Sequence, residues 1–76
     1  MTPELKAQYK ADLARVRYER DAYLKRAADK WKLRIELNKR RRWLEANEAF
    51  SRHLEYKHTA SMFMSEVARL TEFLRK

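Results

Sequence analysis

Glu55 and His58 form Glu-x-x-His, a spacing that sets a carboxylate and an imidazole on one helix face. Bundles that bind a carboxylate-bridged iron pair use this motif on two helices, and they add a glutamate from each of two others. The apolar stripe of the first helix, described below, carries no carboxylate, so no metal site is expected. His53 and His58 are five residues apart, ~140° around a helix, and do not make a two-histidine metal face. Ser51, Ser61 and Ser65 lack a base with an orienting partner; Ser51 and His53, two apart, point in different directions. The chain contains neither Gly nor Cys. Phosphate-cradling loops, dinucleotide fingerprints, nucleophile elbows and calcium loops all need glycine geometry, and thiolate metal sites and disulfides need cysteine. The chain reads as a non-enzyme with no cofactor.

Charge is the more informative chemistry. The 76 residues carry 19 Lys and Arg against 11 Asp and Glu, a net charge of +8. Residues 1–24 hold five bases and four acids, and residues 43–76 hold five of each. Residues 25–42 hold nine bases against Asp29 and Glu36, so +7 of the +8 sits in this short stretch. On a helical projection Arg26, Lys30, Arg34 and Arg41 gather within ~80° along one edge of the apolar stripe, Arg41 only if the helix continues that far. Lys25, Asp29, Lys32, Glu36 and Lys39 form a second row of alternating sign that neutralises itself.

The elements carrying these residues read as helices throughout. Thr2-Pro3-Glu4 is a helix start: a capping hydroxyl, a proline suited to the first helical position, and an acid complementing the positive helix end. Leu5, Tyr9, Leu13, Val16, Tyr23, Leu24, Ala27, Trp31 and Ile35 fall within ~120° at ~100° per residue, with Arg20 interrupting the stripe. A helix over 3–37 would be ~52 Å long, too long for a compact monomer. Asn38, which tolerates the left-handed conformation, sets a turn at about 38–42. In the return arm, 42–75, Trp43, Asn47, Phe50 and Leu54 share one face, and Phe63, Val67, Leu70 and Leu74 another. Leu54 and Phe63 would point ~180° apart on one straight helix. A break near 58–61, capped by Thr59 or Ser61, is the preferred explanation; a continuous helix serving two partners is the other. Acid-before-base pairs at four residues, Asp21/Lys25, Glu36/Arg40, Glu48/Arg52 and Glu72/Lys76, support helix.

The expected fold is therefore all-α: a single helical domain over 1–76, folded as a long hairpin. An apolar face left open on so small a hairpin points to a homodimer, as a four-helix bundle or coiled-coil-like assembly. Arg20 either fixes register in that dimer or packs its stem along the stripe with its head in water, the plainer reading. At 45% hydrophobic and 39% charged, the chain is too apolar for a disordered tail and too polar for a membrane span. No N-terminal apolar segment with a small-residue cleavage site appears, so a cytoplasmic protein is expected.

Function is expected to be binding. The leading expectation is contact with the phosphate backbone of nucleic acid, largely independent of sequence, through Arg26, Lys30, Arg34, Lys39, Arg40, Arg41, Arg42 and Trp43. The alternative is a small regulator or inhibitor that sets the same segment on an acidic protein surface. Leu33, Leu37 and Leu44 lie off the main stripe beside the basic residues. Left uncovered by the second helix, they would make a mixed apolar and basic surface suited to protein rather than DNA. Both Trp31 and Trp43 have a plainer reading as core side chains.

Overall fold

The computed structural model describes residues 2–75, which form two helices, α1 (Pro3–Lys39) and α2 (Trp43–Arg75), packed side by side as a hairpin. Its Cα extents are 58 × 13 × 13 Å, a rod close to the ~55 Å expected for 37 helical residues. The helix start is as the sequence predicts. The Thr2 hydroxyl accepts a hydrogen bond from the Leu5 amide at 3.2 Å, and Pro3 opens the first turn. Among the described residues no helix is long and apolar enough to cross a membrane.

The bend is tighter than the sequence suggests, and Asn38 is not its pivot. Asn38 stays inside α1, and Arg41 takes the left-handed conformation at φ 57°. The Arg42 amide donates to the Leu37 carbonyl at 2.9 Å and the Arg41 amide to the Asn38 carbonyl at 3.0 Å. These two bonds close a Schellman motif, which satisfies carbonyls left open at the helix end. Glycine usually occupies the left-handed position, and an L-residue there costs roughly 1 kcal/mol. Arg42 then launches α2: its carbonyl accepts from the Ala46 amide at 2.9 Å, and its guanidinium pairs with Glu45 at 2.5 Å.

α2 runs unbroken through 58–61, correcting the expected division of the return arm. Thr59 and Ser61 cap nothing there: the Thr59 hydroxyl donates to the Glu55 carbonyl, and the Ser61 carbonyl accepts from Ser65. The expected break assumed that Leu54 must face α1. Instead α2 meets α1 through Ala46, Ala49, His53, Tyr56, Ala60, Phe63, Val67, Leu70 and Leu74, all buried or half-buried. Their spacing alternates three and four without interruption. α1 answers with Tyr9, Leu13, Val16, Arg20, Tyr23, Ala27, Lys30, Arg34 and Leu37, alternating four and three.

This is a heptad seam, and it accounts for the misplaced half of the expected α1 stripe. A strict seven-residue repeat drifts ~20° per heptad from a straight-helix projection. Over four heptads the drift moves the contact line off Trp31 and Ile35 and onto Lys30, Arg34 and Leu37. Arg20 sits on the seam with its side chain mostly covered, and its Nε donates to the neighbouring Asp21 at 3.0 Å.

The seam is filled unequally. Toward the open end, Leu13, Val16 and Leu70 form a buried cluster with Tyr9, Phe63, Val67 and Leu74 packed on it, and Tyr9 stacks on Phe73 at 5.6 Å. In the middle Tyr23 lies between Tyr56 and Phe63, at 6.0 and 5.7 Å. Toward the bend the buried cluster shrinks to Leu37, Ala46 and Ala49.

Candidate functional site

The basic segment occupies the bend half of the hairpin, and the structure divides its residues into three settings. Lys39, Arg40, Arg41 and Arg42 are exposed at the tip. Two of them are engaged: Arg40 pairs with Glu36 at 3.5 Å, and Arg42 with Glu45. Lys39 and Arg41 make no ion pair among the described residues. Lys30 and Arg34 are half-buried seam residues. The Arg34 guanidinium lies 4.2 Å from the Phe50 ring centroid and 4.9 Å from that of Trp31, so two aromatic faces hold the cation. Arg26 is exposed, with its guanidinium 4.8 Å from the Tyr23 ring centroid.

The tryptophans are not enclosed. Trp43 is 57% exposed at the start of α2, correcting its reading as core. Trp31 packs on Phe50 and His53, at 6.3 and 5.1 Å between ring centroids, yet remains 40% exposed. Of the three leucines placed off the stripe, Leu37 is buried, Leu33 is 42% exposed and Leu44 is 86% exposed. The tip is thus a patch in which apolar and basic side chains alternate.

Trp31 and Leu33, two residues apart, project to opposite flanks of the seam. On the Leu33 flank, a shallow recess of ≈ 280 Å³ is lined by Lys30 and Arg52 but also by Glu45 and Glu48. On the Trp31 flank, a groove of ≈ 540 Å³ is lined by Trp31, Phe50 and Leu54 with Ala28 and His53, and its charged residues are Lys32 and Lys57. No carboxylate lines it among the described residues. His53 braces the groove from below: its Nδ1 donates to the Ala27 carbonyl across the seam at 2.7 Å.

Phe50, Leu54 and Lys57 were not singled out as site residues by the sequence, nor was Lys32. A signal was present, because Trp43, Asn47, Phe50 and Leu54 share a face; that face is the outer flank of α2 rather than its seam. The chemistry at Glu55 is ordinary ion pairing, with the Arg52 guanidinium 3.2 Å away. Among the described residues no group of three or more His, Asp or Glu side chains is placed to hold a metal ion. Comparison with protein-family models, with curated proteins and with solved structures finds no match.

Proposed function

We propose that this hairpin is a non-enzymatic binding protein that docks its bend half onto an acidic surface of a protein partner, as a small cytoplasmic regulator or inhibitor. One observation carries the reading: Trp43 and Leu44 are exposed beside Arg41 and Arg42 at the tip, and Leu33 is exposed farther down the hairpin beside Lys30 and Arg52. A surface that only tracks phosphate has no use for exposed leucines, whereas protein interfaces combine apolar and aromatic anchors with arginine. Two of the four tip cations are also paired with glutamates, which lowers the free charge available for counterion release on a nucleic acid.

The hairpin has surface to spare for such a partner. It exposes 6039 Å², against about 5,000 Å² for a compact chain of this mass. The surplus, roughly 1,000 Å², is close to the ~800 Å² that one partner contributes to a standard interface. A homodimer would draw on the same surplus.

Nucleic-acid binding is the second reading, favoured by Lys39 and Arg41, which have no ion pair among the described residues, and by the exposed Trp43 next to Arg41, which could stack on a base. The two readings separate in one experiment. Capture from nuclease-treated lysate at physiological salt should retain a defined acidic protein, lost both with Leu33→Ser/Leu44→Ser and with Arg40, Arg41 and Arg42 changed together to Ala. Binding confined to random DNA or RNA, with a steep salt slope and indifferent to Leu33→Ser/Leu44→Ser, would overturn the docking reading.

A further inference from the structure

We infer that the groove between Trp31 and Leu54 is a seat for an amphipathic helix of a partner protein, apolar on the face it buries and acidic on both flanks. This extends the docking reading proposed above to the flank of the seam opposite Leu33, and it rests on that reading. Two rows of side chains define the seat. On α1, Leu24, Ala28, Trp31 and Ile35 follow one another at four, three and four residues; on α2, Trp43, Asn47, Phe50 and Leu54 do the same. Both rows flank the seam on one side, since Ala28 and Trp31 line the groove together with Phe50 and Leu54 and the Trp31 and Phe50 rings touch. Leu24, Trp31, Ile35, Trp43 and Leu54 all remain exposed.

A helix that packs against one neighbour needs a single heptad row. These helices each carry a second row beside the first, the pattern of helices that must meet two neighbours. The missing element is therefore a third helix lying along the trough, in the helix-in-groove mode of recognition. The α1 row covers the twelve residues 24–35, so about three turns of a partner would cover it, some 16 Å at ~1.5 Å per residue.

Charge selects the occupant. The groove's charged residues are Lys32 and Lys57, with no carboxylate among the described residues that line it, and Glu36, expected to help neutralise the Lys32 row, pairs with Arg40 instead. A helix with Glu or Asp flanking its apolar stripe complements them, and flanking charges set pairing in helical assemblies. A second copy does not: a two-fold placing one groove on another would bring four lysines together between chains of +8 each.

The probe is a labelled 18-residue peptide with leucines at i, i+3, i+4 and i+7 and glutamates on the flanks. A scrambled peptide of the same composition and a random-sequence oligodeoxynucleotide of equal charge serve as controls. Fluorescence anisotropy should show micromolar binding of the peptide, at least tenfold weaker for the scrambled control. Leu54→Glu and Lys57→Glu, both at exposed positions, should each weaken binding about tenfold while leaving the helical circular dichroism unchanged. Because the chain has only two tryptophans, Trp43→Phe leaves Trp31 as sole reporter, and its emission should shift to the blue on binding. Equal binding of the scrambled peptide, a silent Trp31, or displacement of the peptide by the oligonucleotide at equal affinity would overturn the inference. So would a free dimer in sedimentation that Leu54→Glu converts to monomer. If capture of an acidic protein depends on Leu33, Leu44 and the tip arginines but not on Leu54, the groove assignment falls and the docking reading stands. If wild type captures no acidic protein, the docking reading itself falls.

Discussion

The two halves of the hairpin share one heptad seam and fill it in opposite ways. At the open end the seam holds Leu13, Val16, Phe63, Val67 and Leu70, so large apolar side chains occupy the contact line itself, although Leu5, Met62, Met64 and Phe73 stay exposed beside it. At the bend the seam holds Leu37 as its one large buried apolar side chain beside Lys30, Arg34, Ala46, Ala49 and His53, while Trp31, Leu33, Ile35, Leu44 and Leu54 sit one or two positions to either side and face solvent. Exchanging those sets would give a drier core and a more polar surface. A sequence arranged only for stability would place its large apolar residues on the contact line. The difference teaches that the open end holds the hairpin together and the bend half presents a surface.

The contrast should be sharpest in paired truncations. Leu70→Ala, at 3% exposure, should cost about 3 kcal/mol by combining lost burial with a cavity, whereas Leu44→Ala should stay within about 0.5 kcal/mol. Urea unfolding followed by circular dichroism reads both, and similar costs would erase the distinction between the halves. Next in size is a gain. Lys30→Leu should stabilise the hairpin by about 1 kcal/mol, because a half-buried seam position would receive an apolar side chain. A loss of stability there would mean that the cation itself secures the bend half.

At the bend, Arg41→Gly should stabilise by up to about 1 kcal/mol, since glycine adopts the left-handed conformation without a Cβ penalty. A destabilised Arg41→Gly would show that the Arg41 side chain makes a contact worth more than that penalty. The smallest effect belongs to the open end. Bidentate hydrogen bonding from Arg69 holds the Glu66 carboxyl below the ordinary glutamate range. A lowered folded value gives stability that is present at neutral pH and lost as pH falls through that value. Glu66→Gln should therefore be slightly less stable than wild type at neutral pH, with the gap closing in acid; a gap that widens in acid would reverse the assigned sign. Both side chains lie at the surface, partly open to solvent, which keeps this effect small.

Much of the architecture was legible because it rests on local chemistry. Thr2-Pro3 signals a helix start by itself, and the absence of glycine and of a second proline leaves little but helix. The hairpin followed from the length of the first helix. The seam was legible in the open half, from Tyr9 to Ala27 and at Phe63, Val67, Leu70 and Leu74, and illegible toward the bend, where Lys30, Arg34, Ala46, Ala49 and His53 take the contact positions. Apolar patterning passes over Ala46, Ala49 and Ala60, although small residues are what let two helices approach closely. The expected break arose in the same way, from assigning Leu54 to the seam when His53 occupies that register. The position of the basic segment is a matter of composition, and the structure sets that segment in the bend half. Its division into tip, seam and flank depends on the drift between a straight helix and a heptad, which a projection at a fixed angle conceals.

Native-state hydrogen exchange, resolved residue by residue, tests the division between the two halves most directly. Amides around Leu13, Val16, Phe63, Val67 and Leu70 should exchange at least tenfold more slowly than those around Trp31–Leu37 and Ala46–Leu54, a gap of about 1.4 kcal/mol in opening free energy. Equal protection along the whole rod would contradict it, because the bend half would then be as firmly built as the open end and its exposed apolar rows would need no partner.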